Sequence, residues 1–444
     1  MLGCTHGTLF KTTVSGGSYQ EGLSVNIQGV PPGYRITEEE IYVELMLRKP
    51  GQGELTSPRR EADVPILFSG LNAADTMPGF RNQGFTNGTP LVILIPNVDR
   101  HFEHIEQYQL TNRTPRPGHA SYASYMKYGS FDDSIGAGFF SGRYTSTIVA
   151  AGCIAKRILA EHGIEVTSYI KEAAGIRMKD MDIKEIREKA AAYRQVRKES
   201  DPIYQELFAT NKMRADMRFF EKAAILADLE KRIPEIPKPT FDEDVIRKKY
   251  AINPKLFCPD LESADKMYDE ILRIMKEGDS SGGVVEVIVT GVPAGIGEPI
   301  FNKLDGELGR MMSIGTVKAV EVGCGVEAAR MKGSQCNDQL RVKDGKVFFT
   351  SNNAGGITGG LTTGQDIIAR VTVKPTPTIA KPQQTIDKIS LENKDMAAVT
   401  RRDPTIVARM WPIVEAYTAM IILDSYAQYL AFEALKPKFP VTSF

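Results

Sequence analysis

The sequence lacks a net charge, and this absence excludes a class of partner. Lysine plus arginine and aspartate plus glutamate each total 55. No overall positive field therefore attracts nucleic acid, and any attraction for anions must come from local clusters of basic residues. The composition predicts small-molecule partners, with no nucleic acid and no membrane.

Cysteines are few and scattered, and no long apolar run is uninterrupted. The five cysteines form no CxxC pair, which argues against structural zinc or a disulfide framework and favours a reduced, cytoplasmic protein with no metal. The two most apolar segments are broken by Lys156 and Asp424 and are too short to cross a membrane. The N-terminus shows no signal-peptide pattern, so none is expected.

What is present predicts an α+β fold. Short apolar runs such as LSVNIQGV and TPLVILIPN are typical of strands, and a helix is expected from about Thr145 to His162. Strand-like segments return after Gly278, and a final helix follows Asp403. Runs of strands that lead into long helices indicate an α+β class.

The middle of the chain differs in character. Residues 171–237 are rich in lysine, arginine, glutamate and alanine, which predicts a charged helical insertion. It would separate an N-terminal half, 1–170, from a C-terminal half, 238–444, of one domain. A surface or oligomer contact is the favoured role for the insertion, over a substrate lid.

Two glycine- or proline-containing segments have the composition of ligand loops. SNNAGGITGGLTTG, residues 351–364, would let backbone N–H groups approach a phosphate or a planar ring, although such loops are more often only turns. KPTPT, residues 374–378, places a cation beside two hydroxyls, although its prolines also suit an edge strand.

Three basic clusters lie next to turns: LRKPGQGELTSPRRE at 47–61, RPGH at 116–119 and TRRDP at 400–404. Each alone is best explained as solvated surface arginines. The three together favour a polyanionic ligand.

These segments, in this order, resemble the chorismate synthase family. The family has three motifs near its N-terminus: GNTFG, GESHG and a DGxPxG turn. At the same spacing, without a gap, this sequence has GCTHG, GGSYQ and IQGVPPG. The likeness continues through RPGHASY, GVPAGIGEPIFNKLD, SNNAGGITGG, KPTPTI and RRDPTIVAR. So many ordered motifs make chance an implausible explanation. The likeness covers both halves and omits mainly the middle segment.

The resemblance implies a β-α-β sandwich in which long central helices lie between antiparallel sheets, usually in a homotetramer, with a homodimer as the other expectation. It also implies an activity. Enzymes of the family convert 5-enolpyruvylshikimate 3-phosphate to chorismate by a 1,4-elimination that requires reduced FMN, with two histidines and an aspartate in proton transfer.

The family's site residues map onto this sequence position by position. The catalytic positions fall on His119, Asp403 and Tyr19. The substrate-binding positions fall on Arg48, Lys49, Arg59, Arg60, Arg116, Arg143 and Arg401. The FMN-binding positions fall on Ser141, Asn353, Ala354, Gly359, Lys374, Thr376 and Thr378.

Several of these positions depart from the family pattern. Tyr19 stands in place of the GESHG histidine, whereas His6 occupies the apolar place of GNTFG and is interpreted as structural. Where the family has RSSARET, this sequence has FFSGRYT. Phe139 and Phe140 therefore replace an Arg-Ser pair that contacts FMN in the family, and Tyr144 replaces a glutamate. A phenol ordinarily titrates near pH ~10 and donates a hydrogen bond, but it does not release a proton at neutral pH as imidazolium does.

Three functions therefore stay open at the level of sequence. The first is a divergent chorismate synthase, which is favoured because His119 and Asp403 match two of the family's catalytic positions. The second is a related enzyme that uses a flavin-type site for a different reaction on a cyclic carboxylic acid. The third is a non-catalytic paralogue that binds a ligand or a partner. Substitutions at ligand-facing positions put the family's reaction in question, and fold alone does not decide among the three.

Overall fold

The computed structural model describes residues 2–57, 59–97, 112–133, 135–396 and 403–437. The strands are β1 (Thr5–His6), β2 (Lys11–Gly16), β3 (Gly22–Gln28), β4 (Ile66–Ser69), β5 (Leu91–Pro96), β6 (Glu165–Ala173), β7 (Ile176–Arg177), β8 (Gly283–Thr290), β9 (Val317–Val322), β10 (Leu340–Lys343), β11 (Lys346–Phe349), β12 (Ile357–Thr358), β13 (Leu361–Thr362), β14 (Ile367–Val373), β15 (Gln383–Ile386) and β16 (Asn393–Met396). The α-helices are α1 (Glu38–Arg48), α2 (Ser121–Tyr128), α3 (Thr145–Glu161), α4 (Ile183–Ser200), α5 (Pro202–Tyr204), α6 (Phe219–Arg232), α7 (Glu243–Tyr250), α8 (Leu261–Lys276), α9 (Leu304–Gly309), α10 (Gly333–Cys336) and α11 (Val407–Leu435).

Two five-stranded antiparallel sheets form the outer layers. The N-terminal sheet has the order β1-β2-β3-β5-β4, and the C-terminal sheet has the order β7-β6-β8-β14-β9. In the first sheet Leu23, Val25 and Ile27 are buried on every second position of β3 and pair with buried residues of β5. This alternation is what a sheet with one covered face requires, and it confirms the two strands expected from the sequence.

The long helices α3 and α11 pack along each other between the two sheets. Helix α3 contacts β3 and β5, whereas α11 contacts β6 and β8. The α+β class with central helices between antiparallel sheets is therefore confirmed. Gly152 permits the close approach of the two helices, because a Cβ at this position would lie 2.3 Å from the Cβ of Ala416.

Helices α4 to α8 lie between β7 and β8 in the chain. The expected boundary at 170/171 falls inside strand β6, which pairs with β8 from Glu165 to Ala173. The charged segment is helical in α4 and α6. It is tied to α1 by a buried ion pair between Lys222 and Glu38.

The two ends of the described chain are joined by one carboxylate. Asp424 of α11 accepts hydrogen bonds from the backbone N–H groups of Thr8 at 2.9 Å, Leu9 at 2.7 Å and Phe10 at 2.7 Å. This contact fixes the segment between β1 and β2 against the last helix.

Candidate functional site

A cavity of about 1410 Å³ lies between the N-terminal sheet and the central helices. Strands β2 and β3 and helices α3 and α11 supply its apolar walls, and the loops 112–121, 137–144 and 374–378 supply much of its polar surface. A cavity with apolar walls and a few convergent polar groups is the usual form of a small-molecule site.

Basic side chains outnumber acidic ones in the lining of the cavity. Seven basic and three acidic side chains line the cavity: Arg48, Arg59, Arg116, Arg143, Arg310, Lys374 and Arg409, with Glu61, Asp395 and Asp403. A protein without net charge therefore concentrates cations at one place, as the sequence predicts for a polyanionic ligand.

Arg48 and Arg143 share one buried carboxylate. Arg48 Nη1 donates to Asp63 Oδ2 at 2.7 Å, and Arg143 Nη1 forms an ion pair with Asp63 Oδ1. Arg48 also donates to the hydroxyl of Thr145 and to the carbonyl of Gly142. Burial raises the pKa of Asp63, but the two guanidinium groups outweigh it and hold this pKa below its usual range. Asp63 thus fixes the orientation of both arginines and neutralises part of their charge.

Arg59 connects this network to Tyr19. Its Nη2 lies 2.5 Å from Glu61 Oε1, and its Nη1 donates to the Ser18 hydroxyl at 3.1 Å. The guanidinium lies over the ring of Tyr19, 5.2 Å from the ring centre, which is cation–π geometry. Tyr19 is half-buried and is not one of the residues that line the cavity, although its partner Arg59 is.

His119 lies beside two cations. Arg116 Nη2 is 3.2 Å from Nε2, and the N–H of Ser121 donates to Nδ1 at 3.2 Å. Burial, together with the charges of Arg116 and Lys374, lowers the pKa of His119 to about 4. Each ring nitrogen therefore lies next to an N–H donor, Ser121 at Nδ1 and Arg116 at Nε2, which favours the neutral ring over the doubly protonated one.

The KPTPT segment borders the same side of the cavity. Lys374 Nζ donates to the carbonyl of Gly118 at 2.5 Å, and burial together with Lys318 lowers the pKa of Lys374. Thr376 and Thr378 line the cavity beside it, as does Ser141 from the opposite loop. Burial and the charge of Lys318 both disfavour the charged form of Lys374, and an anion bound beside it would favour that form.

Asp403 is held by a backbone group and by an arginine. Its Oδ1 accepts from the N–H of Ser57 at 2.7 Å and from Arg409 Nη1 at 3.2 Å. Among the described residues no partner of Oδ2 is found. Arg409 also donates from Nε to the carbonyl of Arg48 at 2.8 Å, so it links the aspartate to the buried arginine network.

Two residues expected to bind substrate lie away from the cavity. Lys49 donates to the hydroxyl of Tyr42 at 2.7 Å and forms a buried ion pair with Asp201. Arg60 donates to the carbonyls of Ile233 and Pro234, at the end of α6. Both residues therefore attach the charged helical segment to the rest of the fold. Arg401 lies outside the described residues.

Three residues expected to bind FMN also lie away from the cavity. The backbone N–H groups of Asn353 and Ala354 donate to the carboxylate of Asp338 at 2.7 and 2.8 Å. Gly359 lies in the turn between β12 and β13 and is exposed. Turns and the two short strands β12 and β13 make up most of the glycine-rich segment.

Other lining residues were not anticipated. Gly315 and Thr316 line the cavity next to Tyr144, whose hydroxyl accepts from the Gly315 N–H at 3.0 Å. His6, interpreted from the sequence as structural, also lines the cavity, and its Nδ1 lies 3.4 Å from the Tyr417 hydroxyl. Arg409 was detectable as a basic residue in the otherwise apolar start of the last helix.

The described part of the chain contains no group of three or more histidine, cysteine, aspartate or glutamate side chains placed to hold a metal ion. Within the same residues, no helix combines the length and the apolar character that a membrane span needs.

Comparison with known proteins gives one consistent family. A family model described as chorismate synthase matches residues 10–427, which includes the charged helical segment. The chain is 37% identical over 425 residues to a chorismate synthase of Methanosarcina barkeri, covering 96% of each chain. It is also 37% identical over 448 residues to a chorismate synthase of Acetivibrio thermocellus, covering 97% of this chain and 96% of the relative. A crystal structure of a chorismate synthase superposes with a TM-score of 0.62 at 25% identity, covering 96% of this chain and 94% of the other.

Proposed function

The chain belongs to the chorismate synthase family, and we propose that it eliminates phosphate from 5-enolpyruvylshikimate 3-phosphate, with reduced FMN bound, to give chorismate. Membership of the family makes it a carbon–oxygen lyase. The observation that carries the proposal is the excess of basic side chains in one cavity. A substrate with one phosphate and two carboxylates requires several fixed cations in a site from which water is partly excluded.

The residues that line the cavity fit FMN, which combines a planar apolar ring with a phosphate. Phe139 and Phe140 offer aromatic surface for the ring, and Lys374 with Thr376 and Thr378 would hold the phosphate. A bound phosphate would offset the burial and the charge of Lys318 that lower the pKa of Lys374. When bound, reduced FMN supplies an electron-rich ring to the elimination.

His119 is proposed as a proton donor. In the protein alone its pKa of about 4 leaves the ring neutral at physiological pH. Bound phosphate and carboxylate groups offset the charges of Arg116 and Lys374, so ligand binding raises this pKa towards the range of a general acid. The basic cluster thus couples the protonation of His119 to the presence of anionic ligands.

Asp403 is proposed to accept or relay a proton through Oδ2. The N–H of Ser57 and Arg409 both bind Oδ1, so the orientation of the carboxylate is set before ligand arrives. Fixing a catalytic group in this way avoids reorganisation during the reaction.

Tyr19 is proposed as a hydrogen-bond donor, at the position where the family has a histidine. Its contact with Arg59 puts it next to the cations that would bind the leaving phosphate. As a phenol it stabilises charge on the phosphate without transferring a proton at neutral pH.

The central experiment is phosphate release from 5-enolpyruvylshikimate 3-phosphate by the purified protein with reduced FMN. Release above that of reduced FMN without protein is expected. The same protein without flavin is the first control, and Asp403→Asn is the second. Absence of release, with flavin binding in an absorbance titration, would favour a different reaction on this scaffold. Absence of both would favour a non-catalytic protein.

A second experiment tests position 19. Tyr19→His restores a group that titrates near neutral pH, so we expect phosphate release to become faster, because loss of a general acid typically costs 10²–10⁴-fold in rate. Tyr19→Phe should lower the rate by removing the hydroxyl. If both variants match the original protein, Tyr19 has no part in the reaction.

We propose that the protein assembles as a homotetramer or a homodimer, as the family likeness implies. The mass of the native protein in solution tests this, and a monomer at micromolar concentration would contradict it.

A further inference from the structure

His6 lines the cavity with one ring nitrogen that has no partner. Among the described residues, no group bonds to its buried Nε2. Such an atom also occurs away from the cavity, in Asn26, Asp132, Ser281 and Trp411. A buried polar atom without a hydrogen bond costs free energy, so most such atoms in native proteins have a partner. At His6, unlike at the other four, a molecule bound in the cavity is in a position to supply it.

The backbone around His6 is held from two sides. His6 of β1 pairs with Thr12 of β2. The turn that follows needs Gly7, because φ is +87° there and a Cβ would lie 2.1 Å from the carbonyl oxygen of Phe10. Beyond the turn, the N–H of Phe10 donates to Asp424 of α11 at 2.7 Å. The imidazole is thus carried on a fixed backbone, as a group that contacts a ligand requires.

Tyr417 and Ser313 orient the imidazole ring. The rings of His6 and Tyr417 meet edge to face, with centres 4.9 Å apart and planes at 74°. Ser313 Oγ donates to the Tyr417 hydroxyl at 3.4 Å, and this hydroxyl lies 3.4 Å from Nδ1 of His6. In the tautomer that completes this chain of hydrogen bonds, Tyr417 donates to Nδ1 and the ring proton is on Nε2. The nitrogen without a partner is then an N–H donor.

The charged groups around His6 favour a neutral ring. Burial has the largest effect and lowers the pKa of His6, Asp424 and Glu307 raise it, and Arg310 lowers it, so that the pKa lies below its ordinary value. Arg310 lines the same cavity and forms an ion pair with Glu307 at 2.6 Å. A neutral N–H donor in a cavity rich in arginine suits an anionic oxygen.

We propose that His6 Nε2 donates a hydrogen bond to a carboxylate or phosphate oxygen of the bound ligand. This inference rests on the proposed function, in which two ligands carry such oxygens, 5-enolpyruvylshikimate 3-phosphate and FMN. It makes His6 a ligand-binding residue, in contrast to the structural role interpreted from the sequence.

The first test measures affinity without turnover. FMN alone is titrated by absorbance, and 5-enolpyruvylshikimate 3-phosphate is titrated by calorimetry with oxidised FMN present, so the two ligands are distinguished. His6→Phe keeps a ring against Tyr417 but removes both nitrogens. We expect it to weaken binding of one of the two ligands by about 10- to 100-fold, the loss expected for a hydrogen bond to a charged group. His6→Gln, which retains an N–H donor, should recover part of that affinity.

His162→Phe is the matched control. The ring of His162 also meets a tyrosine of α11 edge to face, with centres 5.3 Å from those of Tyr426, but His162 does not line the cavity. This variant should bind both ligands as the original protein does. If His6→Phe does so too while the original protein releases phosphate, the inference fails and the proposed function stands. If the original protein binds neither ligand, both fail.

A second test observes the ring nitrogens directly. In protein labelled with ¹⁵N-histidine, the His6 signals are identified by their loss in His6→Gln. We expect the proton on Nε2 in the free protein, and we expect saturation with the ligand identified above to shift the Nε2 signal and slow the exchange of its proton with water. A proton on Nδ1 instead, or an Nε2 signal that neither ligand changes, would contradict the proposed contact.

Discussion

Arg409 Nη1 donates to Asp403 Oδ1 across 3.2 Å while its Nε donates to the carbonyl of Arg48 across 2.8 Å. One side chain therefore fixes the carboxylate proposed for proton transfer and connects it to a buried arginine. The planar guanidinium makes both contacts at once, which a lysine ammonium on a flexible stem does not reproduce.

We predict that Arg409→Lys lowers kcat for phosphate release by roughly 10- to 100-fold with little change in KM, because misplacing a catalytic group by about 1 Å costs on this order. Steady-state kinetics with reduced FMN would measure it, with circular dichroism as a check on folding. A lysine variant with unchanged kcat would show that charge alone is sufficient at this position.

Replacing Arg59 should weaken substrate binding, whereas replacing its neighbour Arg60 should lower the stability of the fold. Arg59 lines the cavity and Arg60 binds backbone carbonyls near the end of α6. We predict that Arg59→Ala weakens binding of 5-enolpyruvylshikimate 3-phosphate by about 10- to 100-fold, the loss expected for a charge-assisted hydrogen bond. Arg60→Ala should leave this affinity unchanged and lower the free energy of unfolding by about 1–3 kcal/mol. Calorimetric titration and urea unfolding measure the two effects, and equal losses of affinity would contradict the assignment.

His119 should make stability depend on pH. Its folded pKa of about 4 lies below the ordinary histidine value of 6.5, so the unfolded chain binds a proton first as the pH falls. The free energy of unfolding should therefore decrease as pH falls from about 6.5 to 4, and this contribution should be absent in His119→Gln. Urea unfolding of both proteins across this range gives the difference, and a difference that does not vary with pH would argue against a depressed pKa.

Inserting a methyl group at Gly152 should force the central helices apart. The new Cβ would lie 2.3 Å from the Cβ and 2.4 Å from the Cα of Ala416. We predict that Gly152→Ala lowers the free energy of unfolding by about 1–3 kcal/mol, the usual cost of overpacking. Gly306→Ala is a matched control, because nothing lies within 4 Å of a Cβ there, and it should be neutral or slightly stabilising. Equal Tm changes in the two variants would contradict the explanation.

The sequence predicted the elements and many of the lining residues, for identifiable reasons. Strand β3 alternates apolar and polar residues, and β5 is a short, continuously apolar run. Helix α3 is expected at Thr145–His162 and is found at Thr145–Glu161. His119, Asp403, Lys374 and Thr376 line one cavity, as the family motifs implied. Motif order predicts such residues because it reflects a shared backbone.

The expected site residues that lie outside the cavity are those whose surroundings come from distant parts of the chain. Arg60 is bound by carbonyls more than 170 residues away, and Lys49 is bound by Asp201. Neither partner is visible in the local pattern, in which both residues look like members of one basic cluster. For the same reason Arg409 was overlooked, since its role depends on a contact with the backbone of Arg48.

The bond between Asp424 and the backbone of residues 8–10 has a consequence for the order of events during protein synthesis. The segment that carries His6 is synthesised more than 400 residues before its anchor on α11. The nascent chain therefore cannot complete the ligand cavity until Asp424 has been made, and a chain truncated before Asp424 would lack a closed site.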